Sequence, residues 1–450
     1  MTAASGTVPL PPLGATVKTT CCEYCPVACG YKVYTWPVGE DGGMRAHQNA
    51  LSRSFPLNEP ESGWPTPNMH NLIDIGGVSH NVLIVPDKDA QVVNINGNHS
   101  VRGGALAQKL YVADGPTSDR LLEPMLRVGG TLQPISWDLA TDIVAQVSTY
   151  VIDQHGPIAW GMKRYSYGGH ENVTAITKLA YRAIGSANHA PHHAPAGGDD
   201  APGLSDAGID AFSACFEDDK QADVLFICGT DPYETKTVRF LEWSTKGGAK
   251  IVYVDPRKTF TAAYAVAEGG IHLQLNIGTD LALYGAIARY IVEQGWEDTD
   301  FISSFTASSG EVAAESHWRR KMFGASFVDF QSYLLAEDAF RLADAEAITG
   351  VTAADIQAAA VMISGGGVGQ RPKTTFLFEK GLYWTHLYEN TAAIANLAVL
   401  LGSACRAGRA ISRLGGHQRG GQSAGGYPLD QSPDEFLGYK IEMDTDRYFV

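Results

Sequence analysis

The chain has 450 residues, 44% of them hydrophobic and 18% charged, a balance that fits a well-packed protein and excludes a disordered one. Its length exceeds what one hydrophobic core usually holds, so two or more domains are expected. With 34 Lys and Arg against 49 Asp and Glu the net charge is −15, which argues against a nucleic-acid partner, because phosphate backbones require a basic footprint.

Residues 1–20 are rich in Pro, Gly and Thr and contain neither an apolar signal core nor a twin arginine. The expectation is a protein without an export signal of its own, either cytoplasmic or carried out folded by a partner. No apolar run approaches the roughly 20 residues of a membrane span. Next comes Cys22-Glu23-Tyr24-Cys25-Pro26-Val27-Ala28-Cys29, a C-x2-C-x3-C array. Thiols at this spacing, on a loop able to wrap a metal, suit an iron–sulfur cluster. Zinc is the competing reading, but it wants four N or S ligands and no second CxxC or HxxxH closes the set. Cys21 abuts Cys22, and Cys215, Cys228 and Cys405 are remote.

Residues 31–36 alternate as a strand, and residues 81–85 and 91–95 read as further strands separated by the Pro86-Asp87 turn. Ser100-Val101-Arg102-Gly103-Gly104 introduces a helix expected to reach Tyr111, followed by a polar, proline-containing linker over 115–133. The first 125 residues are therefore expected to form a small β-rich domain.

From Ser136 the pattern changes to alternating helix and strand. Ser136 is an N-cap for a helix over 137–154, with Asp138 favourable in its first turn. Strands are predicted at 157–162, 222–228, 250–255, 272–276 and 374–378, and helices at 236–245, 279–293 and 388–401. Such alternation implies an α/β fold, a doubly wound parallel sheet with helices on both faces, over 126–450. Ligands of such sheets sit at the carboxyl ends of strands. Three loops there carry aspartates in order: Gly229-Thr230-Asp231-Pro232, Asp255-Pro256-Arg257 and Gly278-Thr279-Asp280. Each alone reads as a turn or cap residue, whereas the series favours a nucleotide. Neither GxGxxG nor GxxxxGK[ST] is present, so nicotinamide dinucleotide and P-loop readings lack support.

These residues resemble the molybdenum-bis(molybdopterin guanine dinucleotide) enzymes of the dimethyl-sulfoxide-reductase family, nearest to the branch of arsenite oxidase and iodate reductase catalytic subunits. The resemblance runs over nearly the whole chain. It rests on the cysteine array with Gly30-Tyr31-Lys32-Val33-Tyr34-Thr35-Trp36-Pro37, on Ser100-Val101-Arg102-Gly103-Gly104, and on Asp231-Pro232-Tyr233-Glu234 and the Asp255 and Asp280 loops. Glu379-Lys380-Gly381 and Gly415-Gly416-His417-Gln418 complete it. It implies an iron–sulfur domain followed by a Rossmann-like domain that binds the guanine dinucleotide. Cys22, Cys25 and Cys29 would hold the cluster, and Ser100, where many relatives place a fourth cysteine, implies 3Fe–4S. Arg102 would lie between cluster and pterin, and Asp231, Asp255, Asp280 and Lys380 would bind the cofactor.

The same resemblance places His192, Asp200, Arg413 and His417 around an oxyanion, with Ala196 facing molybdenum and no protein ligand on the metal. Here the chain departs from arsenite oxidases: Asp200 stands for a glutamate and Ala194 for an arginine, with His193 beside His192. An arsenite site accepts a neutral pyramidal nucleophile, while an iodate site holds an anionic oxygen donor, so iodate reduction is the expected activity and arsenite oxidation the alternative. A non-catalytic iron–sulfur electron-transfer subunit and a zinc-stapled binding protein are readings of other classes. A small Rieske-type subunit carrying the export signal, a soluble c-type cytochrome or similar carrier and a periplasmic location are implied as well. Family members continue well beyond the position of Val450, so the chain is expected to be the N-terminal half of a larger subunit.

Overall fold

The computed structural model describes residues 8–25, 27–55, 65–90, 93–109, 111–112, 115–116, 122–163, 172, 175–176, 178–186, 188–190, 201–209, 213–306, 326–404 and 406–414. Contacts divide the chain into two compact units. The first comprises residues 1–69, 83–106 and 199–415, the second 70–82, 107–198 and 416–450.

The N-terminal strands are β1 (Thr16–Cys21), β2 (Gly30–Pro37), β3 (His70–Ile75) and β4 (Val78–Pro86), in the sheet order β1-β2-β4-β3. β1 and β2 are antiparallel, pairing Cys21 with Gly30 and Thr16 with Thr35. Tyr31, Tyr34 and Trp36 of β2 are buried, whereas β1 is exposed along its whole length, which is why its mixed sequence gave no strand signal. The strand expected at 91–95 is not formed over its described part, because Ile95–Gly97 turns as a 3-10 helix. The Asn94 amide instead braces Gly30, accepting from its N–H at 2.8 Å and donating to its carbonyl at 3.0 Å. The helix expected through Tyr111 is short, Val101–Gly104. Two consecutive glycines disfavour helix, and the chain continues as a 3-10 turn over Leu106–Gln108.

In the second unit, α1 (Trp137–His155) starts where Ser136 Oγ accepts from Leu139 N at 3.2 Å. The strand expected over 157–162 shrinks to Met162–Lys163, since Pro157–Ala159 forms a 3-10 turn after Gly156, whose φ is +78°.

The remainder of the first unit is a five-stranded parallel sheet. Its strands are β5 (Val224–Cys228), β6 (Lys250–Val254), β7 (Ile271–Leu273), β8 (Thr374–Phe378) and β9 (Ile411–Arg413), in the order β7-β6-β5-β8-β9. Numbered from β5 the order is 3-2-1-4-5, the doubly wound Rossmann arrangement, whose switch point lies between β5 and β8. The apolar runs Val-Leu-Phe-Ile-Cys and Thr-Thr-Phe-Leu-Phe are buried on both faces, as strands covered by helices on two sides must be. Phe226, Cys228, Val254, Phe376 and Phe378 pack under α3 (Asp280–Gln294), α4 (Ala353–Ser364) and α5 (Leu387–Leu400). Leu225, Ile227, Ile251, Tyr253 and Leu377 meet Phe240 and α2 (Phe260–Ala267) on the other face. Each large apolar side chain so buried contributes about 1.5–3 kcal/mol. Gly295, with φ +66°, ends α3 as a left-handed cap. Among the described residues no single helix is long and apolar enough to cross a membrane.

Candidate functional site

Two concavities of the first unit are lined by candidate site residues. The smaller, about 390 Å3 with adjoining solvent included, is lined by Cys22, Cys25, Cys29, Tyr31, Ser100, Arg102, Gly103 and Lys236, among others. Local backbone geometry brings the thiols there. Cys22 N donates to Cys29 O at 2.8 Å and Ala28 N to Cys25 O at 3.3 Å, closing the loop between β1 and β2. Ala28 takes a left-handed φ of +54°, a strained conformation for a residue with a Cβ, and of the kind that clusters at ligand sites.

The electrostatics of this pocket are those of crowded, desolvated thiols. Burial first, and the neighbouring Cys25 and Cys22 next, push the Cys29 thiol up to about 12. Such thiols become thiolates only when a cation compensates them, as iron does. Three thiols that face one cavity suit a cluster, in which each binds a different iron. The residues present therefore fit an iron–sulfur cluster. Ser100 also lines this pocket, its hydroxyl accepting from Gly103 N at 3.4 Å. Lys236 supplies a cation on one wall; burial lowers its pKa, opposed by the nearby charges of Glu379 and Cys25.

The larger cleft, about 1110 Å3 with adjoining solvent included, crosses the carboxyl ends of the parallel sheet. It is lined by Gly229 after β5, Asp255–Arg257 after β6, Ile277, Gly278 and Asp280 after β7, and Gly381 and Thr385 after β8. At the switch point two glycines lie backbone against backbone. A Cβ on Gly229 would stand 2.2 Å from Leu382 N, and one on Gly381 would stand 2.8 Å from Gly229 Cα. Asp255 is buried and accepts from Arg257 N at 2.8 Å and from the Tyr253 hydroxyl at 3.3 Å. Asp280 is buried at the start of α3, where burial raises its pKa to about 6.

Other sequence candidates lie elsewhere. Asp231 is buried and accepts from the Thr261 hydroxyl, and Lys380 lies 5.3 Å over the Trp384 ring; neither lines the cleft. Arg413, at the carboxyl end of β9, is 1% exposed. Its Nη2 donates to Glu379 Oε1 at 2.7 Å, the Tyr383 hydroxyl donates to the same oxygen at 2.8 Å, and the guanidinium lies 5.0 Å over the Tyr383 ring. His192, Asp200 and His417, with Ala194, Ala196 and His193, lie outside the described residues. Sequence reasoning singled out neither Tyr31 nor Lys236 nor the closeness of Gly229 to Gly381. The glycines alone left a signal, one at each of two strand ends.

Two family models account for almost the whole chain. Residues 22–117 match one described as Rieske 3Fe-4S, and residues 120–446 match one described as molybdopterin oxidoreductase. The chain belongs to the molybdopterin oxidoreductase family. Among curated relatives, the iodate reductase subunit IdrA of Denitromonas iodatirespirans is 44% identical over 100% of this chain and 52% of its own length. IdrA of Pseudomonas sp. strain SCT is 45% identical over 97% and 50%. The arsenite oxidase subunit AioA of Herminiimonas arsenicoxydans is 32% identical over 92% and 51%. The chain thus spans about half the length of these relatives. Among solved structures, acetylene hydratase from Pelobacter acetylenicus shares the fold, with a TM-score of 0.53 and 18% identity over 87% of this chain and 44% of its own. In this molybdopterin oxidoreductase, the thiols of the smaller pocket fall inside the region matched as Rieske 3Fe-4S, and the cleft falls inside the region matched as molybdopterin oxidoreductase.

Proposed function

We infer that this chain carries the cluster and much of the cofactor site of a molybdenum-dependent oxyanion oxidoreductase, the catalytic subunit of an iodate reductase. The observation that carries this reading is 44% identity to an iodate reductase subunit along the full chain, against 32% to an arsenite oxidase subunit. Cys22, Cys25 and Cys29 bind a 3Fe–4S cluster with Ser100 on its fourth side. Asp255 and Asp280, in the cleft with Gly229 and Gly381, would hold the guanine dinucleotide, with Asp231 and Lys380 in supporting positions. The bis(molybdopterin guanine dinucleotide) group, when bound, supplies the metal that exchanges an oxygen atom with the substrate.

The chain's own residues bind and orient the oxyanion. Arg413 offers a planar cation whose orientation Glu379 and Tyr383 fix. His192 and His417 donate to substrate oxygens and deliver protons, with Asp200 orienting a histidine. Each oxygen atom removed consumes two electrons and two protons and leaves as water. The cluster, when bound, would supply the electron relay, with Arg102 beside it, and the electron donor is a small Rieske-type subunit served by a soluble c-type cytochrome. The complex works in the periplasm.

The test uses the full-length subunit with its small partner, reduced anaerobically with a dye. Rapid reoxidation on adding iodate is the expected result. Fully molybdenum-loaded protein that ignores iodate but is reduced by arsenite would establish the second reading, arsenite oxidation, which the 32% relative favours.

A further inference from the structure

Tyr31 is 0% exposed, and its hydroxyl oxygen has no hydrogen-bond partner among the described residues. A buried hydroxyl left unmatched costs about 1–3 kcal/mol, so native proteins rarely tolerate one without a use. The chain also makes room for it. The Tyr31 Oη lies 1.9 Å from where a Cβ on Gly103 would stand, so only glycine at 103 lets the phenol reach this position. Both residues line the pocket of Cys22, Cys25 and Cys29. Phenylalanine at 31 would fill the same ring position without burying an oxygen, and packing alone does not explain the hydroxyl.

We propose that the Tyr31 hydroxyl donates a hydrogen bond to a sulfur of the cluster held by Cys22, Cys25 and Cys29, and thereby raises the cluster's reduction potential. The inference rests on the reading of that pocket as a cluster site. A donor to sulfur stabilises the electron-rich, reduced state more than the oxidised one, the lever by which outer hydrogen bonds tune such centres. Tyr31 is a positioning residue in this role: it touches the electron carrier and not the substrate.

The deciding experiment is an anaerobic redox titration of the full-length protein with its small subunit, following the cluster by EPR, for wild type and Tyr31→Phe. The EPR spectrum of the oxidised wild type comes first, and a preparation without a 3Fe–4S signal, or with zinc in its place, would overturn both the cluster reading and this inference. With iron present, the expected result is unchanged iron content in Tyr31→Phe and a midpoint lower by about 59 mV, a tenfold change in the one-electron equilibrium. An unchanged midpoint at full iron content overturns the inference alone. If Tyr31→Phe fails to assemble its cluster, 3-fluorotyrosine at position 31 keeps the shape and makes the hydroxyl a stronger donor. It must then raise the midpoint, and an unshifted value overturns the proposal.

Discussion

Replacing Glu379 by Gln removes a counter-charge of the buried Arg413. The pair is 2.7 Å apart, with Arg413 1% and Glu379 7% exposed, so water cannot take over the charge left behind. Removing one partner of such a pair costs about 3–5 kcal/mol, a third or more of the roughly 5–15 kcal/mol that holds a domain together. The loss falls on β8 and β9, whose carboxyl ends the pair ties together, with β9 the outermost strand of the described sheet. Hydrogen exchange read by mass spectrometry over residues 374–383 and 406–414 should accelerate by about a hundredfold to several thousandfold. Combining Glu379→Gln with Arg413→Met removes both charges and should recover most of that protection, because an apolar replacement of a buried pair is often neutral. Exchange within threefold of wild type in Glu379→Gln, or single costs that simply add in the double variant, would refute the account.

Asp280 has its pKa raised by burial to about 6, against about 3.9 in an unfolded chain. Between those values the folded state binds more protons, so stability falls as pH rises from about 4 to 6, by about 3 kcal/mol in all. Asp280→Asn should abolish that decline in thermal melts of the cofactor-free protein and raise its melting temperature at pH 7, while weakening dinucleotide retention; an unaltered pH profile would count against the burial. Ser100→Cys should supply a fourth thiolate and lower the cluster potential, and the EPR signal of the oxidised 3Fe–4S state should disappear; an unchanged signal would mean that Ser100 does not face the cluster. Gly229→Ala drives a Cβ against Leu382 N at a φ of +63°, where neither backbone can yield, and should cost at least about 3 kcal/mol with loss of cofactor. A melting temperature equal to that of wild type would show that the two loops are not seated so closely.

The parallel strands β5, β6 and β8 were legible because each is an apolar run buried on both faces, a pattern that needs no tertiary information, whereas β9, three residues that include Ser412 and Arg413, gave no such signal. Where side chains or turn residues replace the ladder, the periodicity misled: Asn94 satisfies Gly30 in place of a strand, and Pro157 after Gly156 starts a 3-10 turn. β1 was illegible because neither of its faces is buried. The cysteines announced themselves by spacing, whereas Ser100 and Arg102, some 70 residues on, joined them only through resemblance to a family. Asp231, Asp255 and Asp280 looked alike as strand-end aspartates. Only the fold separates them, sending Asp231 to Thr261 and the other two to one cleft. Tyr31 read as a strand residue, because alternation says which face a side chain takes and nothing about whether its oxygen finds a partner. Glu379 and Arg413 are 34 residues apart and meet only because β8 and β9 are neighbours.

That pairing changes what a single substitution can reveal about Arg413. Loss of turnover in Arg413→Ala fits an oxyanion-binding role, but the same change strands the Glu379 carboxylate in a buried site and loosens the strand ends beside the cleft. Either effect silences the enzyme. Arg413→Ala combined with Glu379→Gln separates them, because the double variant removes both charges of the pair. If Arg413 meets the substrate, the double variant stays inactive at wild-type molybdenum content, with exchange protection of β8 and β9 restored. If turnover returns once the stranded carboxylate is gone, Arg413 serves to hold Glu379 and the strand ends, and the cation that receives the oxyanion must be sought elsewhere in the chain.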